Sequence, residues 1–227
     1  MNDQNDATGG DSLAGEKARR GVLFIISSPS GGGKGTLIQH VFKTVENLSY
    51  SVSWTTRAPR AFEQHGRDYH FVSLGTFEEM KTRGEFLEWA VVHGNFYGTG
   101  RSTVEREIET GRDIILEIDV QGASAVRREG VDAVSIFILP PSFEVLRARL
   151  AGRKSEGSAE LALRLRNSRS EVEEYRHFDY LVLNDEEERA ANELASIIRA
   201  ERARRERRES LAQAVLATFP EASQIAQ

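Results

Sequence analysis

At Val22 the chain passes abruptly from a polar stretch into VLFIIS, an apolar and β-branched run with no alternation. Such a run predicts a strand covered on both faces, as in a parallel sheet. A glycine cluster follows. Then LIQHVFKTV sets Leu37, Val41 and Val45 at four-residue intervals, the spacing of one helical face. Two more apolar runs, Ile114 to Ile118 and Ser135 to Leu139, are separated by a helix-compatible segment, and LVLN at 181–184 makes another. This alternation predicts an α/β fold with a largely parallel sheet, whose ligands sit beyond the carboxyl ends of its strands.

The rhythm breaks over about 53–110, where YHFVS, EFLEWAVV and the turn-rich GNFYGTG predict an inserted α+β lobe. Inside it Thr76 with Glu79, and Ser102 with Glu105, have capping-box spacing, while Gly84 and Gly111 stand where helices end. Residues 142–175 read as helical, interrupted at 152–158 by GRKSEGS, whose small and charged residues suit a lid. The stretch from Ile197 to Phe219 reads as one helix with i,i+4 pairs between Glu201 and Arg205 and between Arg205 and Glu209. The expected organisation is a flexible tail over 1–20, a domain over 21–208 with a lid near 152–176, and a helical tail over 209–227.

Composition narrows the chemistry. Of 227 residues, 39% are hydrophobic, and no apolar run approaches the length of a membrane span. The first twenty residues lack a signal-peptide core, so a cytoplasmic protein is expected. There is no cysteine, which excludes a disulfide framework, a thiol nucleophile and a cysteine-based zinc site. The five histidines lack metal-ligand spacing. A net charge of −5 gives no general field for nucleic acid, and the arginines of 199–208 are interleaved with glutamates, so any anion needs a local site.

Ser28-Pro-Ser-Gly-Gly-Gly-Lys-Gly-Thr36 offers that site, between the first strand and the helix near Lys34. Glycines let backbone N–H groups converge on phosphate oxygens, the helix N-terminus adds partial positive charge, and Lys34 adds a full one. Ser30, Gly31, Gly32, Gly33, Lys34, Gly35 and Thr36 are the expected nucleotide-binding residues. The pattern departs from G-x-x-x-x-G-K-[ST] in having Ser28 for the first glycine and Gly35 for the hydroxyl, although Thr36 supplies a hydroxyl one residue later. A second cluster, SVSWTTRAPR over 51–60 with GRDY after it, places Arg57 and Arg60 where they could clamp a second phosphate; alone, it would also suit a solvated turn.

SVSWTTRAPR, GRDYHF, FLEWA, GNFYGT, ILEIDVQG and LVLND, in this order behind a phosphate loop, resemble the guanylate kinase family over about residues 21–208. The resemblance implies a P-loop NTPase-type parallel sheet flanked by helices, an inserted α+β GMP-binding lobe and a helical lid. It implies ATP and Mg²⁺ as co-substrate and cofactor, GMP with dGMP beside it as acceptor, and no nucleic-acid or membrane partner. Carried over by motif, Ser53, Arg57, Arg60, Tyr69, Glu88, Tyr97, Thr99 and Asp119 line the GMP site. Glu88 suits guanine, whose N1–H and exocyclic amine are donors. Arg153 and Arg164 match catalytic arginines beside Lys34 and Arg57, and Asn184 matches a residue near the adenine. Thr36 and Asp119 are the candidate Mg²⁺ ligands, with Glu117 a weaker one.

A phosphate oxygen of GMP needs no general base, because its second pKa is about 6. That agrees with a candidate set rich in cations and without a catalytic histidine or cysteine. Two rival readings exist. A kinase for a phosphorylated sugar such as ribose 1,5-bisphosphate would keep the loop but have no use for Glu88, and a non-catalytic scaffold domain would not need Lys34 and the arginines.

Overall fold

The computed structural model describes residues 19–92, 94–152 and 158–220. Its core is a five-stranded, fully parallel sheet in the order β2 (Leu48–Tyr50), β7 (Asp113–Glu117), β1 (Leu23–Ser27), β8 (Ala133–Leu139), β9 (Tyr180–Leu183). The unbroken apolar run at 22–26 is explained by its central place. Phe24 and Ile26 pack toward α1 (Lys34–Thr44) and α7 (Glu187–Arg202), whereas Leu23 and Ile25 pack on the other face with Val104, Ile108, Ala123 and Val126. Those four belong to α3 (Arg101–Glu109) and α4 (Val120–Arg128). The short strand β2 carries too few apolar residues to stand out in the sequence; pairing with β7 makes it a strand.

The inserted lobe is a second, mixed sheet, β4 (His70–Phe71), β3 (Trp54–Thr55), β6 (Asn95–Gly100) and β5 (Phe86–Val92), carrying α2 (Leu74–Thr82). It has its own small core of Phe77, Met80 and Phe86. The lobe sheet ends at Gly100, and Val104 and Ile108 of the following α3 pack in the main core. Helices α5 (Phe143–Ala151) and α6 (Ser158–Glu173), with a 3-10 turn at Glu174–His177, follow β8.

Three local expectations are corrected. Ser73, not Thr76, caps α2: its hydroxyl accepts the Thr76 N–H at 3.1 Å, and the Thr76 hydroxyl is turned onto it. Ser102 caps nothing, because the Arg101 N–H bonds to Glu85 O at 2.8 Å and carries strand β6 straight into α3. The C-terminal stretch is not one helix. Helix α7 stops at Arg202, well before α8 (Glu209–Leu216) begins, and Glu201 in its last turn is buried, receives the Tyr180 hydroxyl and pairs with Arg204 and Arg207. Arg205 consequently pairs with its neighbour Glu206 rather than across helical turns. Gly84 and Gly111 do follow helix ends, with φ of 68° and 81°, where a side chain would be strained. No helix among the described residues is long and apolar enough to cross a membrane.

At the edge of the core opposite the phosphate loop, Asp113 is fully buried and accepts from Arg19 Nη2 at 2.7 Å, Val22 N at 2.8 Å and Arg202 Nε at 2.5 Å. One carboxylate thus fastens the entry to β1 and the end of α7 to β7. Asp113→Ala should leave two partly buried guanidinium groups unpaired and lower stability by about 3 kcal/mol. Urea unfolding should show this as a lower midpoint with an unchanged slope.

Candidate active site

The loop between β1 and α1 lies at the carboxyl end of the parallel sheet. Gly33 precedes α1 at φ 92° and Gly31 sits at φ 84°, values open to glycine. Space enforces the same choice. A Cβ on Gly33 would come within 2.3 Å of Asn184 Nδ2, and one on Gly31 within 2.9 Å of the Leu150 side chain. Lys34 Nζ donates to Ser28 Oγ at 3.1 Å, which draws the ammonium over the loop. Asn184, buried at the end of β9, donates to Gly32 O at 2.8 Å, and Arg149 Nη2 donates to Asn184 O at 2.9 Å. The asparagine expected near an adenine therefore braces the loop from behind.

Helix α6 reaches the same loop from the front. Arg164 Nη1 donates to Ser30 Oγ at 3.2 Å, and Glu171 Oε2 accepts from Ser30 N at 2.9 Å. Between the loop and the inserted lobe lies a cavity of about 280 Å³. From the core it is lined by Ser30, Lys34, Glu117, Asp119 and Arg164, and from the lobe by Ser53, Arg57, Arg60, Tyr69, Glu88 and Tyr97.

On the lobe side Arg57 is held by several acceptors. Its Nη2 contacts both Glu63 oxygens at 2.8 and 3.0 Å, its Nη1 donates to Ala58 O at 2.8 Å, and its Nε donates to the Tyr97 hydroxyl at 3.2 Å. Glu63 also accepts the Arg60 N–H at 2.8 Å. The Glu63 bond raises the Arg57 pKa further; burial pushes Glu63 up, but the hydrogen bonds from Arg57 and Arg60 outweigh it and hold the carboxyl below its ordinary range. Since Tyr97 accepts from Arg57, its own hydroxyl hydrogen is left to donate. Burial and the nearby Glu117 carboxylate push the Tyr69 phenol up to about 12, so it too stays a donor at neutral pH.

At the far end Glu88 is buried in β5 and accepts the Thr99 hydroxyl at 2.6 Å. Burial, aided by the Asp119 carboxylate, pushes its pKa up to about 7 against the pull of Thr99. Its other oxygen faces Gly122 of α4, where a Cβ would stand only 2.9 Å away. Any side chain at Gly122 would displace the carboxylate. Asp119 lies beyond the end of β7 and caps α4, its Oδ1 accepting Gly122 N at 2.9 Å.

Of the residues expected from the sequence, Ser30, Lys34, Ser53, Arg57, Arg60, Tyr69, Glu88, Tyr97, Asp119 and Arg164 meet at this cavity. Thr99 stands behind Glu88 rather than on the cavity wall. Arg153 lies outside the described residues. Thr36 is exposed and does not line the cavity, whereas a Cβ on Gly35 would face both Glu117 oxygens at 3.7 Å. Glu117 is held by the Tyr50 hydroxyl at 3.2 Å, and burial, with Glu117 beside it, raises the Tyr50 pKa. Among the described residues no three His, Asp or Glu side chains gather to hold a metal ion. Mg²⁺ needs less, since it usually takes one or two carboxylates besides phosphate oxygens and water, and Glu117 with Asp119 fits that donor set.

Glu63, Glu171 and Tyr50 were not foreseen. Nothing in the local sequence separates Glu63 from a solvated loop glutamate. Glu171 had a signal, because it follows Arg164 by seven residues and so shares its face of α6.

Comparison with known proteins bears on the same residues. The guanylate kinase family model matches residues 20–201. A guanylate kinase of Geobacter metallireducens is 49% identical over 186 residues, 82% of this chain and 92% of that protein. One from Rhizobium meliloti is 47% identical over 195 residues, 86% of this chain and 89% of its own length. The crystal structure of guanylate kinase from Anaplasma phagocytophilum superposes with a TM-score of 0.72 at 35% identity, covering 92% of this chain and 99% of that one. With a phosphate loop and a guanine-suited carboxylate on opposite walls of one cavity, and with this breadth of similarity, the chain belongs to the guanylate kinase family.

Proposed function

We propose that this guanylate kinase transfers the ATP γ-phosphoryl group to GMP by holding the two nucleotides on opposite walls of the one cavity, with the cations between them. The observation that carries the reading is that Lys34 and Arg164 line the cavity from the core, and Arg57 and Arg60 from the lobe. In this reading the loop N–H groups of Gly31 and of Gly33 to Thr36, with the Lys34 ammonium, hold the ATP phosphates, the Ser30 and Gly32 N–H groups being taken by Glu171 and Pro29. Arg57, Arg60, Tyr69 and Tyr97 hold the GMP phosphate, two by charge and two by hydroxyl donation. Glu88, braced by Thr99, accepts from guanine N1–H and the exocyclic amine, and Ser53 meets the remaining base edge.

The GMP phosphate oxygen attacks as a dianion, so the protein need not remove a proton. Its residues position the two phosphates in line and offset the charge spreading over a loose transition state, with Lys34 and Arg164 nearest the transferring group. Glu117 and Asp119 would hold Mg²⁺, which would supply positive charge to neutralise the nucleotide phosphates. A serine at Gly35 would meet Glu117 at ordinary contact distance, so the glycine is compatible with a metal held from the carboxylate side. Free nucleotides, including dGMP, are the proposed substrates, rather than nucleic acid; the net charge of −5 supports this.

Three outcomes are expected. Lys34→Ala should lower kcat at least about a hundredfold in an assay of ADP release while thermal unfolding stays near wild type. The same assay over GMP, dGMP, AMP, UMP and ribose 1,5-bisphosphate should find turnover with the guanine nucleotides; preference for the sugar phosphate would contradict the role of Glu88. The third outcome concerns pH. Glu88 titrates near 7 in the free enzyme and must be ionised to accept from guanine, so GMP affinity should rise with pH through about 7 and then level. GMP's own ionisation near 6 adds a lower limb. Titration calorimetry between pH 5.5 and about 8.5 should show both limbs in the wild type and only the lower one in Glu88→Gln; identical profiles would remove Glu88 from the base site.

A further inference from the structure

Helix α6 touches the phosphate loop through two residues seven apart. Arg164 donates to the Ser30 side chain and Glu171 accepts from the Ser30 main chain, so both grip one loop residue across more than 130 positions of sequence. Seven residues are two helical turns, which puts the two side chains on one face of the helix. Both also line the central cavity. Arg164 there needs no explanation in a site for phosphates. Glu171 does, because a carboxylate on the wall of an anion site repels the ligand. Its presence is understandable if the loop needs an acceptor oxygen at that reach and the bond it accepts outweighs the repulsion.

The rest of the loop shows what that bond adds. Gly31 rests on Leu150 of α5, and Gly32 is held through its carbonyl by Asn184 from β9. Ser28 is held by Lys34 from α1. Ser30 stands between these braces, and among the contacts described above its peptide is tied only to α6.

We infer that Glu171 is a positioning residue for phosphoryl transfer: by accepting the Ser30 N–H it sets the loop backbone and fixes the loop's distance from α6, so that Lys34 and Arg164 address the same phosphates. The inference rests on the phosphotransfer reading above. It requires an acceptor oxygen at the end of a side chain of glutamate length. The charge itself is dispensable.

Two substitutions separate reach from charge. Glu171→Gln keeps the length and one acceptor oxygen but loses the charge, whereas Glu171→Asp keeps the charge and falls short of Ser30 N by a methylene. Steady-state assays with wild type as the reference should show Glu171→Gln within about threefold of wild-type kcat. Glu171→Asp should lose at least about tenfold in kcat, with KM for GMP changed less than about twofold. Thermal unfolding of both variants should stay close to wild type, which separates positioning from loss of fold. Equal kcat in all three proteins, an active Asp with an impaired Gln, or a loss confined to KM for GMP would each overturn the inference. A wild type that does not turn over GMP would instead overturn the phosphotransfer reading on which it rests.

Discussion

Lys34, Arg57, Arg60 and Arg164 converge on a cavity of about 280 Å³ in a protein whose net charge is −5. Four cations that close repel one another, and long side chains escape into solvent unless something holds them. Acceptors placed around the rim do so. Glu63 takes both contacts from the Arg57 guanidinium and lies 3.8 Å from Arg60 Nη1, Ser28 takes Lys34, and Ser30 takes Arg164. The cationic surface is therefore assembled before any phosphate arrives, and the cost of ordering it falls on folding rather than on binding.

The fold supplies the two walls separately. The parallel sheet delivers the loop, Glu117 and Asp119 at the carboxyl ends of β1 and β7, while the lobe sheet delivers Glu88 on β5 and Tyr97 on β6. They meet at α4, where Gly122 gives the Glu88 carboxylate room and Asp119 caps the helix beside it. A glycine in the ILEIDVQG segment is thus explained by a contact from a strand more than thirty residues earlier in the chain. Far from the cavity, the fully buried Asp113 keeps the ends of the core together and leaves the site's carboxylates to the site.

Much of this was legible in the sequence where a local pattern has one physical meaning. The unbroken run at 22–26, the glycines before Lys34 and the helix-ending Gly84 and Gly111 each found their expected place. The lobe was visible as a break in rhythm, and the residues that line its side of the cavity through the family motifs. What escaped was set by tertiary partners. Ser73 displaced Thr76 as a cap by one hydroxyl bond, the C-terminal helix ends at Arg202 with Glu201 turned inward to Tyr180, and β2 exists through β7. Asn184 also braces Gly32, a contact with no local signal in the sequence. Glu63 and Glu171 look in the sequence like any exposed glutamate, since their meaning lies in an arginine or a backbone N–H that only folding brings to them.

The central claim is that carboxylates outside the phosphate path organise the cations rather than compete with the ligand for them, and Glu63 is where the two possibilities diverge most. Calorimetric titration of GMP into wild type and Glu63→Gln at one pH decides between them. If Glu63 organises Arg57 and Arg60, its loss should weaken GMP binding about tenfold, or roughly 1.4 kcal/mol. Unchanged or tighter binding by Glu63→Gln would mean that the carboxylate is a competitor which GMP must displace, and would contradict the account.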